Sequence, residues 1–206
     1  MTGYAKLTGW LIGIWFVLSL GASALHLYQN APGQPPVVFG LAALGPIVAF
    51  ILWFALSPSF RAFAMSLDVR VLTQVQTLRI IGYVFLVLAA YGILPKGFAL
   101  SAGWGDIAVG ATAALAALKL AIPERRMGFI AWQILGITDL VSAVTLGTLA
   151  QVLDPHGIST GPMTVLPVSL IPTFGVPLFL ILHLICIAQA LRWRAHSIEP
   201  AAQPAF

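Results

Sequence analysis

The sequence predicts an all-α polytopic membrane bundle of six transmembrane helices, and three observations carry that prediction. The composition is 60% hydrophobic and only 8% charged, whereas a soluble globular domain is about 25% charged. The mean hydropathy is +0.98, which leaves too little polar surface to cover a fold in water. The apolar residues gather into six stretches of the ~20-residue length that a bilayer core requires. The 206 residues hold these spans and short connections, with no room left for a soluble domain.

The elements follow in order. Span 1 is expected at 7–28, with Lys6 before it and Ala22-Ser23-Ala24 near its end. That trio resembles a signal-peptidase site, although a retained first helix is the reading adopted. His26 and Tyr28 lie at its far end as interfacial residues. A Pro- and Gly-rich loop, 30–36, leads to span 2 at 37–56, with Pro46 as a kink. Ser57-Pro58 supplies an N-cap and a first-turn proline. Apolar residues then recur at Phe60, Phe63, Leu67, Val71, Val75 and Leu78, the spacing of one amphipathic interfacial helix running into span 3. A solvated connecting helix would use the same residues.

Span 3 is expected at 75–94, with Gln76, Arg79 and Tyr83 on one helical face turned into the bundle. Leu94-Pro-Lys-Gly97 makes a turn. Span 4, at 98–121, carries the small-residue stripe Gly103, Asp106, Gly110, Ala113 and Ala117, where another helix can approach closely. Ile122-Pro-Glu-Arg-Arg126 breaks it. Span 5, at 127–150, repeats the pattern with Gly136, Asp139, Ala143 and Gly147, beside a hydroxyl stripe of Thr138, Ser142 and Thr145. After a loop at 151–162, span 6 occupies 172–192; Pro167 and Pro172 suggest extended or broken backbone before it, and Pro177 marks either its first turn or a kink. His183 and Cys186 share one face of it. Residues 1–195 thus read as one membrane domain, and 196–206 as a cytoplasmic tail.

The net charge is +4 and the pI about 9.6. The basic residues flank the apolar spans, which is the pattern that orients a membrane protein. Lys6, Arg61, Arg70, Arg79, Lys119, Arg125, Arg126, Arg192 and Arg194 fall at one end of the bundle and only Lys96 at the other. The positive-inside rule then puts both termini in the cytoplasm, which agrees with an even number of crossings. The aromatics lie inside the spans, unlike those of a single-strand binding surface, so the lipid bilayer is the expected partner and nucleic acid is not. Cys186 is the single cysteine, so no internal disulfide is possible.

Charged groups at membrane depth cost roughly 2.5–3.5 kcal/mol each on insertion scales and are functional by default. At 1.5 Å per helical residue, Asp106 and Asp139 both fall ~18 Å from the inner face, His183 ~12 Å and Arg79 ~6 Å. Two unpaired carboxylates in low dielectric do not both ionise cheaply, so one should hold a proton unless Arg79 or His183 supplies positive charge. Taken singly, each aspartate could be no more than a hydrogen bond between helices.

The chain resembles an uncharacterised family of small bacterial six-helix inner-membrane proteins. The resemblance lies in Arg79-Ile-Ile-Gly-Tyr-Val-Phe85, Gly92-Ile-Leu-Pro95, Ala102-Gly-Trp-Gly-Asp106, Gly136-Ile-Thr-Asp139 and Pro172-Thr-Phe-Gly-Val-Pro-Leu-Phe-Leu-Ile-Leu-His183. It implies a bacterial inner membrane and carries no activity with it.

The leading functional expectation is binding or transport of a proton, a cation or a small polar ligand at Arg79, Tyr83, Asp106, Asp139 and His183, aided by carbonyls freed at the proline-broken start of span 6. A second is a redox protein holding b-type haem on His183, with His26 as the other histidine within a span. A third is an intramembrane aspartyl peptidase: Gly103-Trp-Gly-Asp106 matches the G-x-G-D of presenilin-like and prepilin peptidases, with Asp139 as the second aspartate. In those families the motif comes second along the chain, whereas here it comes first, and no Pro-Ala-Leu accompanies it. Accessory or sensor roles need nothing beyond the helices. No metal set is expected, His183 with Cys186 being too few ligands. Phosphate loops and soluble-hydrolase motifs are missing. His156, beside Asp154, and His196 read as solvated residues.

Overall fold

The structure is a computed structural model that describes residues 2–29, 36–154 and 156–193. Most of the loop read at 30–36, the tail at 196–206, Arg194 and His196 lie outside the described residues. The described chain is helical throughout: α1 (Thr2–Ala24), α2 (Val37–Leu56), α3 (Pro58–Met65), α4 (Val69–Val75), a 3₁₀ segment (Gln76–Gly82), α5 (Tyr83–Ala90), α6 (Lys96–Lys119), α7 (Arg126–Leu153), a π-helical turn (Ile171–Gly175) and α8 (Val176–Arg192), with short 3₁₀ turns at Pro123–Arg125 and Gly161–Thr164. Six helical stretches are long and apolar enough to cross a membrane, the length and composition that a multi-pass membrane protein requires.

The elements start and stop for local reasons. Ser57 Oγ accepts the Phe60 N–H at 3.2 Å, and Pro58 opens α3 behind it. The expected single amphipathic helix through Leu78 is two pieces. Asp68 accepts the N–H groups of Arg70 at 2.8 Å and Val71 at 3.4 Å, and so caps a new helix. α3 buries Phe60, Phe63 and Ala64, while Val71 and Leu78, placed on the same stripe by the sequence, are exposed. The α4 pattern begins a fresh turn at the cap, so the phase set by Phe60 does not carry across it. Gly92, at φ +67°, turns the chain between α5 and α6, a backbone conformation that a Cβ disfavours.

α6 is the central element. The 3₁₀ segment, α5, α4 and α7 pack on it, α8 packs on α7 and α4, and α2 lies outside against α8. α1 touches the rest mainly through the π-helical turn and α3. Two apolar clusters fill the ends of the bundle. One gathers Ala64, Leu72, Ala121, Phe129, Ile130, Ile185, Cys186 and Ala190. The other gathers Phe85, Ala89, Leu94, Phe98, Ala99, Ala102 and Met163. The buried ionisable residues lie between them along every helix that contributes.

The prolines before α8 serve a joint between helices. Pro177 has no N–H to give to the Thr173 carbonyl four residues earlier. That carbonyl instead accepts Trp15 Nε1 at 3.2 Å and Ser19 Oγ at 3.4 Å, both from α1. Ser23 and Ser169 hydroxyls add a 2.5 Å contact one turn along. One carbonyl at the proline-broken start of span 6 is therefore taken by the first helix.

Candidate functional site: a guanidinium held by two aspartates and a histidine

The site starts from the backbone of the 3₁₀ segment. A 3₁₀ helix has three residues per turn, so i and i+3 eclipse. Gln76, Arg79 and Gly82 accordingly form one line, and all are buried. Tyr83 was expected on that face from α-helical spacing, but it is 54% exposed. Seven residues at 120° each turn it about 120° from Gln76, where α-helical winding would have returned it to within about 20°. Tyr83 is not part of the site.

Glycines let the other helices reach this line. A Cβ on Gly82 would collide with the Asp106 side chain, and one on Gly110 would stand 2.7 Å from the Ile80 nitrogen. A Cβ on Gly103 would meet Leu86 at 2.6 Å, one on Gly105 would run into the Asp139 carboxylate, and one on Gly136 would enter the His183 ring. Both glycines of the G-x-G-D sequence are thereby accounted for as points of close helix approach.

Arg79, 1% exposed, uses all three of its nitrogens. Nε donates to Asp106 Oδ1 at 2.7 Å. Nη2 donates to Asp139 Oδ2. Nη1 donates to the Gly136 carbonyl at 3.2 Å and faces His183 Nε2 at 3.3 Å. A guanidinium has no acceptor, so Nε2 is the accepting nitrogen and His183 carries its proton on Nδ1. Nδ1 then donates to Gln133 Oε1. Gln133 Nε2 donates to Thr73 Oγ1 at 3.3 Å, and Thr73 Oγ1 donates to the Val69 carbonyl at 2.8 Å. Each donor in the row has an acceptor, so the row has one direction.

The Arg79 guanidinium sits between the aspartates and His183. The structure brings together Arg79, Asp106, Asp139 and His183. Sequence reasoning missed Gln133 and Thr73, which hold the histidine, and the findable signal was position: Gln133 stands three residues before Gly136, on the small-residue face already noted. Gln76 Nε2 donates to the Phe179 carbonyl at 3.1 Å, while its buried Oε1 has no partner among the described residues. The hydroxyl stripe of α7 turns inward on its own helix: Ser142 donates to the Asp139 carbonyl and Thr145 to Val141.

The same geometry weighs on the alternatives. Both ring nitrogens of His183 are engaged by side chains, so neither stands open to an iron, and His26 is exposed in the turn after α1. The two carboxylates grip a guanidinium instead of facing each other across a water. Cys186 is buried against Thr73, at 3.8 Å. Among the described residues no group of three or more His, Cys, Asp or Glu is arranged to hold a metal ion.

A profile of the family described as a domain of unknown function, DUF8737, matches residues 36–191, which is most of the chain and contains every residue of the site. The chain belongs to DUF8737. No curated protein and no solved structure matched it. The DUF8737 match begins just before α2, so it takes in the span that carries Arg79 and its partners on α6, α7 and α8 and leaves out α1.

Proposed function

We propose that this protein binds or transports a proton or a small cation at the Arg79–Asp106–Asp139–His183 centre, in the inner membrane of a bacterium with both termini in the cytoplasm. The observation that carries the reading is charge. One guanidinium faces two carboxylates, and His183 accepts from it as a neutral ring, so the ionised centre has an excess of one negative charge. Two features give that excess a direction. The carboxylate side chains keep 13% and 12% of their surface accessible, while Arg79 keeps none. The unpartnered Gln76 Oε1, on the Arg79 face, supplies a further neutral acceptor. A proton on Asp139, or a monovalent cation lodged beside it, brings the centre to neutrality in surroundings where net charge is costly.

The test is infrared difference spectroscopy on purified protein, stepping between alkaline and acidic buffer and then adding Na⁺ or K⁺. The wild type should show a protonated-carboxyl band that the cation diminishes. Asp139→Asn should fold and lose the band, while Asp154→Asn, in an exposed position, should keep it. Identical spectra from wild type and Asp139→Asn would end the proposal. Liposomes with an entrapped pH dye then separate transport from binding alone.

A further inference from the structure

At the basic end of the bundle, α6, the turn after it and α7 border a cleft of about 430 Å³ lined by Thr112, Leu115, Ala116, Lys119, Leu120, Arg125 and Trp132. Its composition is graded. Leu115, Ala116, Leu120 and the Trp132 indole make an apolar wall, and Lys119 and Arg125 stand at the terminal end of α6 where the helix stops. The wall is fixed in place: Trp132 Nε1 donates to Thr112 Oγ1 at 3.0 Å, and Arg125 Nη1 donates to the Lys119 carbonyl at 3.3 Å. No carboxylate lines the cleft. Glu124, the nearest in sequence, is exposed and borders a neighbouring hollow. Among the described residues, the ion pairs are those of Arg79 alone, so both cationic heads here lack an anionic partner.

We propose that this cleft is a binding site for one anionic phospholipid, its phosphate between Lys119 and Arg125 and an acyl chain along Leu115, Leu120 and Trp132. The charge complementarity and the apolar composition of the wall select this occupant. A soluble anion would use the cations and leave the wall bare, and a zwitterionic lipid would bring a second cation to a site with no acid to receive it. Basic pockets between transmembrane helices at the cytoplasmic side bind anionic headgroups in this manner. The back of the cleft is also the side of the polar centre, because the Trp132 ring lies 5.8 Å, centroid to centroid, from the His183 ring. A lipid in the cleft thus packs on the residue that covers His183.

Native mass spectrometry of the full chain, released from detergent with added phosphatidylglycerol or phosphatidylcholine, tests this. The wild type should retain one phosphatidylglycerol at concentrations where phosphatidylcholine is lost. Lys119→Gln with Arg125→Gln should weaken that retention about thirtyfold, since each basic residue near a membrane surface contributes about 1 kcal/mol to anionic-lipid attraction. Lys119→Arg with Arg125→Lys, which keeps the charges, should restore it and guards against a misfolded double variant. Arg61→Gln with Arg70→Gln, which removes equal charge elsewhere at the same end, should leave it intact. Equal retention of both lipids, an equal loss in the Arg61/Arg70 control, or displacement of the lipid by inorganic phosphate would each overturn the proposal.

Discussion

Removing the guanidinium of Arg79 would leave two carboxylates, a carbonyl and a ring nitrogen pointed at an empty space inside the bundle. Breaking a buried ionic cluster by deleting one partner costs about 3–5 kcal/mol, so Arg79→Gln should lower the melting temperature in detergent sharply. Adding Asp106→Asn should recover part of that loss, because it removes one of the stranded charges; purely additive effects in the double-mutant cycle would contradict this geometry. Arg79→Lys should fail to restore wild-type stability, since a compact ammonium cannot span acceptors on three helices. Arg79, Asp106, Asp139 and His183 were legible as single letters because a charge in an apolar run is conspicuous. Thr73 and Gln133 were not, since neutral polar residues are common in membrane helices and only a partner gives them meaning.

The close approach of α6, α7 and the 3₁₀ segment depends on glycines, and substitution should discriminate among them. Gly136→Ala and Gly105→Ala place a methyl group on the His183 ring and the Asp139 carboxylate, an overpacking that typically costs about 1–3 kcal/mol. Gly97→Ala and Gly9→Ala, where a Cβ meets nothing within 4 Å, should be neutral or slightly stabilising. Thermal melts of the four variants would check the ranking. The α1–α8 joint makes a second prediction. Trp15→Phe with Ser19→Ala leaves the Thr173 carbonyl unpaired, a loss of about 1–3 kcal/mol, and Pro177→Ala should offset it by supplying the missing helical N–H. The limits of α2 agree with the sequence at both ends because Pro36 and Ser57-Pro58 bracket it. The face of Tyr83 did not, because hydrophobic spacing does not announce a change from 3.6 to 3.0 residues per turn. Thr77, Ile80, Ile81 and Gly82, all weak α-helix formers, are the hint that stood in the sequence.

For the whole molecule, the proposed orientation rests on the asymmetry of basic residues, and labelling measures it. The natural cysteine is buried, so an impermeant maleimide should report only introduced sites. His156→Cys should be labelled from outside intact cells, and Ser59→Cys only after lysis; the reverse pattern would invert the topology. The count of spans was readable because bilayer thickness sets helix length. Their packing order was not, since α2 is the most apolar span by hydropathy and has no buried residue: lipid and protein interior select for the same side chains.

The spacing of Arg79 and its partners has a consequence for how the chain is made. A ribosome delivers the third span before any of the groups that hold its arginine. Asp106 is 27 residues away, Gly136 57, Asp139 60 and His183 104. An unpaired arginine waiting alone in lipid costs roughly 2.5–3.5 kcal/mol, and the first relief arrives with the following helix. The third and fourth spans should therefore leave the translocon together as a hairpin already joined by its ion pair, with the fifth and sixth closing around it as they emerge.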